Sequence, residues 1–336
     1  MTVKENISLK SYNTFGIQAS AKTLVEIGNI EDLKDFCQSG YYNVIPRLFL
    51  GGGSNILFTE DFNGVILHSK INDITIVGED KKNVLIKAGS GITWDKLVEH
   101  CVLKNWGGIE NLSHIPGNVG AAPVQNIGAY GVEAKDTIFE VEAFDMKMTV
   151  EKKFNNEDCK FGYRSSIFKK PDFKDCFITY VTFRLSKSPV LKDNYGSIKD
   201  EMEKLEKRNI SSLRQAIINI RQSKLPSVEE IGNAGSFFKN PVLDKDITDK
   251  ILSGYPDMPH YCLSENKFKI PAAWLIEQSG LKGYRKGNVG TFHRQPLVIV
   301  SYGETKGTEI KDFSNYITKR VENKFGIKLE PEVCFI

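Results

Sequence analysis

The sequence predicts an α+β protein that holds a small-molecule ligand on glycine-rich loops. Three observations carry this. Short apolar runs that read as strands are interrupted by few helical patterns, which favours α+β over a doubly wound parallel sheet. The chain has 336 residues, too many for one small core and enough for two or three domains. The stretch Gly107 to Gly131, GGIENLSHIPGNVGAAPVQNIGAYG, holds six glycines in 25 residues with Glu110 as its only charge.

That stretch is poor helix, because each interior glycine costs about 1 kcal/mol relative to alanine. It is poor strand, because Pro116 and Pro123 would fall in the middle. Gly117, Gly120, Ala121, Ala122, Gly128 and Ala129 let main-chain N–H groups approach a ligand, and consecutive N–H groups in turns form anion-binding nests. A solvated loop is the alternative, although such loops carry more charge.

Bulk properties bound the function. Forty-five basic and 42 acidic residues leave a net charge of +3, which implies no polyanion-binding surface and no nucleic-acid partner. The six cysteines are scattered with no C-x-x-C pair, so neither a metal site nor a disulfide framework is expected, and free thiols fit a reducing cytoplasm. No signal peptide is expected in MTVKENISLK, and no apolar run approaches the ~20 residues of a membrane helix.

In chain order, Lys22 to Ile27 and Arg47 to Leu50 read as strands around a short helix from Glu31 to Cys37. Gly-Gly-Gly-Ser-Asn at 51–55 follows a strand as a phosphate cradle would, with Val65 to His68 the next strand. Ile56 stands where a Rossmann G-x-G-x-x-G would need its last glycine, and Gly-Lys-Ser/Thr is absent. A plain turn is the other reading. Together, the two glycine-rich stretches suit one dinucleotide diphosphate.

Strands are next expected at Ile74–Val77, Val84–Ala88, Phe139–Phe144 and Phe177–Leu185. Between them, Thr93 is a helix N-cap and Trp94, Leu97, Val98, Cys101 and Val102 form an apolar stripe facing the core. In Phe161-Gly-Tyr-Arg-Ser-Ser, Arg164 either grips a carboxylate bidentately or stacks on Tyr163 at the surface. Glu201 to Arg208 reads as a solvated helix or linker, and Ser212 to Lys224 as an amphipathic helix.

Gly-Asn-Ala-Gly-Ser-Phe-Phe-Lys-Asn-Pro at 232–241 is not a nucleophile elbow. Ser236 there is either a packing serine or a shielded proton donor. Pro271–Ser279 reads as a helix with proline in its first turn, Pro296–Ser301 as a strand, and Glu309–Phe325 as a helix stopped by Gly326. Glu332 would lie among apolar residues in a final strand ending at Ile336, where a carboxyl has a raised pKa or a cationic partner.

NTFG at 13–16, GGGSN at 51–55, IPGNVGAAPVQNIGAYG at 115–131, FGYRSS at 161–166, SKLP at 223–226, GNAGSFFKNP at 232–241 and LEPEV at 329–333 together resemble the UDP-N-acetylenolpyruvoylglucosamine reductase (MurB) family over essentially the whole chain. Tyr195 in DNYGS resembles the tyrosine loop of one subgroup. One departure is Cys334, where the family often has arginine.

The resemblance implies a two-part FAD-binding fold of the vanillyl-alcohol-oxidase (PCMH) type plus a C-terminal α+β substrate-binding domain. Residues 1–70 and 71–210 would be the FAD-binding subdomains and 211–326 the substrate domain, with the strand 327–336 returning to the first. It implies noncovalent FAD, NADPH as co-substrate, a UDP-sugar substrate, a cytoplasmic monomer and no metal. Gly51, Gly53, Ser54 and Asn55 would hold the cofactor, with Ile115, Pro116, Gly117 and Gly120 from the second loop. Gln125, Asn126, Gly128, Ala129 and Arg221 would complete that site. Arg164 and Glu332 match the pair that polarises the substrate carboxylate, and Ser236 matches the proton donor. Lys224 and Asn240 would meet the diphosphate and Tyr195 the uracil, while Tyr130, Tyr261, Lys282 and Gln295 would touch the substrate more generally. Two rivals are a covalent-flavin oxidase of the same fold, with His114 as the nearest tether, and a non-catalytic binding module, against which Arg164, Ser236 and Glu332 together argue.

Overall fold

A computed structural model describes residues 1–336. The backbone separates into two compact units, one of residues 1–7, 21–52 and 63–223, the other of residues 8–20, 53–62 and 224–336.

The first unit contains two large sheets and the small two-stranded pair Gly128–Ala129 with Val132–Glu133. One orders Thr2–Ser8, Ser20–Ile27, Phe62–Ser69 and Arg47–Leu50, the last two parallel with Arg47 opposite Val65. Helix Ile30–Gln38 starts where Asn29 accepts the Asp32 N–H at 2.9 Å. It buries Leu33 and Phe36 with Val25, Ile27, Val65 and Leu67. The second sheet is antiparallel, ordered Val150–Asn155, Ile138–Asp145, Cys176–Ser186, Asn83–Gly89 and Ile74–Glu79. Helix Trp94–Leu103 packs in the same core, with Trp94 edge-on to Phe183 at 5.7 Å. The expected apolar stripe is buried as read, but Thr93 occupies the N-cap without a side-chain capping bond. Helix Ile210–Lys224 lays Arg214 across Asp95, with two N–H···O bonds of 2.6 and 2.9 Å.

The second unit has a four-stranded antiparallel sheet, Gly232–Ser236, Val298–Ser301, Val289–Thr291 and Arg285–Lys286. A three-stranded sheet orders Val242–Asp244, Lys267–Lys269 and Tyr261–Ser264. Helices Lys245–Gly254, Ala272–Gln278 and Gly307–Phe325 accompany them. The long helix buries Ile310, Phe313, Ile317 and Val321, and left-handed Gly326 ends it at φ 70°.

Several expectations are corrected. The boundary falls after Ser223 rather than near residue 210, because the 210–224 helix packs Leu213, Ile217 and Ile220 on Ile198 and Met202 of its own unit. The 201–208 stretch is largely the solvated segment expected, with 203–204 and 206–208 exposed, and only Met202 and partly buried Leu205 pack inward. Residues 53–62 cluster with the second unit, where Cys334–Phe335 pairs in parallel with Ile56–Leu57. Of the expected terminal strand only Cys334–Phe335 is in a ladder, while Pro331 makes an isolated antiparallel bridge to Phe238. Pro271 stands at the N-cap of its helix rather than inside the first turn. No helix is long and apolar enough to cross a membrane.

Candidate active site

In the first unit the two glycine-rich loops meet. A Cβ on Gly52 would lie 2.9 Å from the Gly117 Cα and 2.9 Å from Asn118 Oδ1, and one on Gly51 would lie 3.4 Å from the Ala121 Cβ. Gly120 is equally constrained, 2.5 Å from the Ser90 Cβ, and its N–H donates to the Ser90 carbonyl at 3.0 Å. Asn118 fastens this lip by donating from Nδ2 to the Gly91 carbonyl at 2.7 Å, while the Trp94 N–H donates to the Gly117 carbonyl at 2.9 Å. The result is a closely packed lip of main chain and small side chains, where glycine lets the two loops approach, and it suits a dinucleotide pyrophosphate held by backbone N–H groups. The residues present fit FAD.

Arg164 closes the far end of the same stretch. Its backbone sits at φ 53°, and its guanidinium donates to the Gly128 carbonyl at 2.7 Å and the Asn126 carbonyl at 3.5 Å. The guanidinium also lies 5.5 Å from the Tyr163 ring centroid. Half-buried and held by two loop carbonyls, it is more than a surface arginine resting on Tyr163. Asn126 is fully buried and ties the loop together, donating to Glu133 and the Gly162 carbonyl and accepting from the Lys135 N–H.

Arg221, on the last turns of the 210–224 helix, donates from Nε to the His114 carbonyl at 3.1 Å and hydrogen-bonds the Tyr130 hydroxyl. Burial pushes the Tyr130 phenol above its ordinary value, partly offset by Arg221. Tyr130, at φ 51°, meets Tyr195 edge-to-face at 6.1 Å. Cofactor-assigned Arg221 and substrate-assigned Tyr130 and Tyr195 therefore form one chain of contacts. His114 is exposed, with its N–H on Asp95 at 2.5 Å.

In the second unit, Gly53 is obligatory. Its φ is 64° and a Cβ would lie 1.9 Å from the Tyr12 carbonyl oxygen. Thr14 of the NTFG motif joins the Gly53 carbonyl through its N–H at 3.2 Å and receives the Asn233 N–H at 3.1 Å. The strand Gly232–Ser236 is thereby fixed beside the glycine turn. A bulge between Asn233 and Ser236, with Gly235 at φ 66°, re-aims the strand end. Phe237 and Phe238 are both buried while Ser236 is exposed, which corrects the expectation of a shielded hydroxyl: the bulge turns the serine outward as the two aromatics enter the core.

Glu332 is half-buried, and its main chain is held on both sides. Its N–H donates to the Phe237 carbonyl at 2.8 Å and its carbonyl accepts from Asn55 Nδ2 at 3.2 Å. Ser236, Asn55 and Glu332 are thus drawn to one place. Cys334 is exposed, and Lys311 Nζ lies 5.7 Å from the centroid of the neighbouring Phe335 ring.

The remaining substrate-assigned residues are dispersed. Asn240 Oδ1 accepts the Ala272 N–H at 2.9 Å and so caps that helix, a structural task the sequence did not reveal. Lys282 pairs with Glu277 at 2.7 Å. Exposed Tyr261 lies in the three-stranded sheet, with Lys269 Nζ 5.9 Å from its ring. Gln295 sits at the turn before Val298, whose N–H donates to its carbonyl at 3.0 Å. Lys224 is exposed at its helix end. Asn118, Asp95, Arg214 and Asn111 escaped the sequence reading because polar residues in loops or on helices carry no periodic signal.

Comparison with known proteins agrees with this geometry. Residues 21–152 match a family model described as an FAD binding domain, and residues 226–336 match the C-terminal domain of UDP-N-acetylenolpyruvoylglucosamine reductase. The reductase of Amoebophilus asiaticus is 44% identical over 338 residues, covering 100% of both chains. That of Bacteroides fragilis is 43% identical over 334 residues, covering 99% of this chain and 100% of the relative. The crystal structure of the Thermus caldophilus enzyme (MurB) superposes with a TM-score of 0.70 at 23% identity, covering 100% of this chain and 99% of that one, and supports the fold. The fold is the FAD-binding fold of the vanillyl-alcohol-oxidase type followed by an α+β C-terminal domain, and the chain belongs to the UDP-N-acetylenolpyruvoylglucosamine reductase family.

Proposed function

We propose that this chain reduces the enolpyruvyl group of UDP-N-acetylglucosamine enolpyruvate to give UDP-N-acetylmuramate, in peptidoglycan precursor synthesis, with NADPH as reductant and noncovalent FAD as carrier. The observation that carries the reading is the approach of Gly52 to Gly117 in a chain that aligns with a relative of the family over that relative's whole length. What FAD supplies when bound is hydride chemistry, accepting from NADPH and passing to an electron-poor alkene.

The chain's residues do the rest. Gly51, Gly53, Ser54 and Asn55, with Ile115, Pro116, Gly117 and Gly120, form the cradle for the cofactor. Gln125, Asn126, Gly128 and Ala129 continue it, and Arg221 supplies positive charge. As hydride reaches the terminal vinyl carbon, the π pair moves onto the carbon bearing the ether oxygen and into the carboxylate. Arg164, already oriented by two carbonyls, polarises that carboxylate together with Glu332. Ser236 Oγ gives its proton to the ether-bearing carbon, and its exposure lets solvent replace that proton. A hydroxyl is a weak acid, so it serves only a strongly basic carbanion held in place. Tyr195 and Tyr130 meet the uracil end, Lys224 and Asn240 the diphosphate, and Tyr261, Lys282 and Gln295 further parts of the substrate.

The two large sheets of the first unit, before and after residue 70, support two cofactor-binding subdomains. We read the protein as a cytoplasmic monomer; its six free cysteines suit a reducing compartment. The test is NADPH oxidation with and without the enolpyruvyl sugar nucleotide. Dependence on that compound is expected, and consumption indifferent to it would overturn the assignment.

A further inference from the structure

The side chain of Asn111 joins the two backbone segments that present Tyr130 and Tyr195. It lies in the single 3-10 turn Glu110–Leu112 and is 1% exposed. Its Nδ2 donates to the Lys192 carbonyl at 2.8 Å and to the Tyr130 carbonyl at 3.3 Å. A buried amide whose two N–H groups are both spent on carbonyls of remote segments is a fastener, because losing it strips two part-buried carbonyls of this donor and unties the segments. The turn beneath it is rigid: Ser113 Oγ donates to the Glu110 carbonyl at 2.6 Å and the Glu110 carboxylate accepts the Gly108 N–H.

The segment carrying Tyr195 also has a charged anchor. Asp193 is buried and paired with exposed Arg208. Beyond these two roots Tyr195 is 48% exposed, resting against Tyr130, with its Cδ2 3.5 Å from where a Gly131 Cβ would be. Tyr130 itself has the positive φ that only a held backbone keeps in a bulky residue. The segment is thus tied at 192 and 193, and the Tyr195 ring beyond them is half exposed while its carbonyl accepts the Ile198 N–H at 3.2 Å.

We propose that Asn111 is a positioning residue for the UDP-sugar: it sets the Tyr130–Tyr195 pair at the spacing that receives the nucleotide, and acts on binding through Tyr195 alone. This rests on the reading of Tyr195 as a substrate residue. Asn111 touches neither tyrosine ring in the hydrogen bonds above, so its effect must pass through the backbone.

The experiment uses the FAD-loaded enzyme with UDP-N-acetylglucosamine enolpyruvate. In Asn111→Asp, isosteric but without the two donors, the substrate KM is expected to rise about tenfold, the equivalent of one net hydrogen bond. The rate of flavin reduction by NADPH and the bound FAD should stay within about twofold, a split that general misfolding would not produce. Arg208→Met, which breaks the other anchor at an exposed position, should raise KM in the same direction and remains measurable if Asn111→Asp does not fold. The double variant Asn111→Asp/Tyr195→Ala should bind substrate no more weakly than Tyr195→Ala, because groups acting as one unit are not additive. Additive losses, or equal slowing of both half-reactions, would overturn the inference while leaving the assignment of Tyr195 intact. A Tyr195→Ala enzyme with unchanged KM would overturn both.

Discussion

The main-chain N–H of Glu332 donates to the carbonyl of Phe237 at 2.8 Å, so the residue assigned to polarise the substrate is locked one position from the residue assigned to protonate it. Asn55 holds the opposite side of Glu332, and its own carbonyl accepts the Cys334 N–H at 3.0 Å. The three segments that meet here are far apart in sequence. The glycine turn, the 232–241 motif and the chain terminus thus share one hydrogen-bonded frame, in which the residue assigned as proton donor has a fixed main chain.

Within that frame Ser236→Ala should slow reduction of the sugar nucleotide by about 10²–10⁴-fold, the usual range for general acid catalysis. Flavin reduction by NADPH needs no such proton and should be nearly unaffected. Ser236→Cys should recover part of the loss, since a thiol of similar size is the stronger acid. Stopped-flow measurement of each half-reaction decides. An alanine enzyme that reoxidises at the parent rate would shift the role to Lys239 or to water.

Legibility followed side-chain pattern. Arg47–Leu50 is the strand read from its apolar run, and the Trp94–Leu103 helix buries the five residues of its stripe. Thr2–Ser8 and Val150–Asn155 escaped because they are sheet edges with mostly polar, exposed residues. The cradle was legible as glycine, but its closure was not: that Gly52 abuts Gly117 depends on contacts 65 positions apart. Ser236 shows the converse, since composition around it suggested shelter and a bulge turned it outward.

The two sides of the glycine turn should fail differently. Gly53→Ala forces a Cβ onto the Tyr12 carbonyl at a left-handed φ, and should cost on the order of 3 kcal/mol or more of stability. Gly52→Ala meets the Gly117 Cα at 2.9 Å, where the facing loop must shift. That protein should fold and lose FAD affinity. Thermal unfolding of the apoprotein and FAD titration separate these; a Gly52→Ala apoprotein that binds FAD like the parent would show that the cradle lies elsewhere.

Asp95 ties the 210–224 helix to the His114 loop. Burial works to raise its carboxyl, but two Arg214 hydrogen bonds and the His114 N–H outweigh this and leave it below its ordinary value. A depressed carboxyl contributes stability that is present above the unfolded value of about 3.9 and is lost as pH falls through the folded one. Asp95→Asn should therefore cost roughly 1.5–3 kcal/mol near pH 7. The gap between parent and variant should narrow at pH 3. Urea unfolding at both pH values checks this, and a gap that does not change with pH would mean that Asp95 contributes by packing alone.

Tyr195 offers the sharpest division between cofactor and substrate. Its ring meets Tyr130 edge-to-face, and Tyr130 is bonded to Arg221, whose Nε reaches the cofactor loop at His114. Removing the exposed member leaves the inner two contacts in place. Tyr195→Ala should then retain FAD and accept hydride from NADPH normally, while its affinity for the UDP-sugar falls by about ten- to a hundredfold, from base–aromatic stacking typically worth roughly 1–3 kcal/mol. Tyr195→Phe keeps the ring and should keep most of the affinity. If the hydroxyl rather than the ring does the binding, Phe will be as weak as Ala, and the partner is then a phosphate or sugar oxygen rather than the uracil face. Isothermal titration with UDP alone reads this directly, since it retains the base and diphosphate and lacks the enolpyruvyl sugar. Equal weakening of NADPH and UDP-sugar in the alanine variant would place Tyr195 at an element both share.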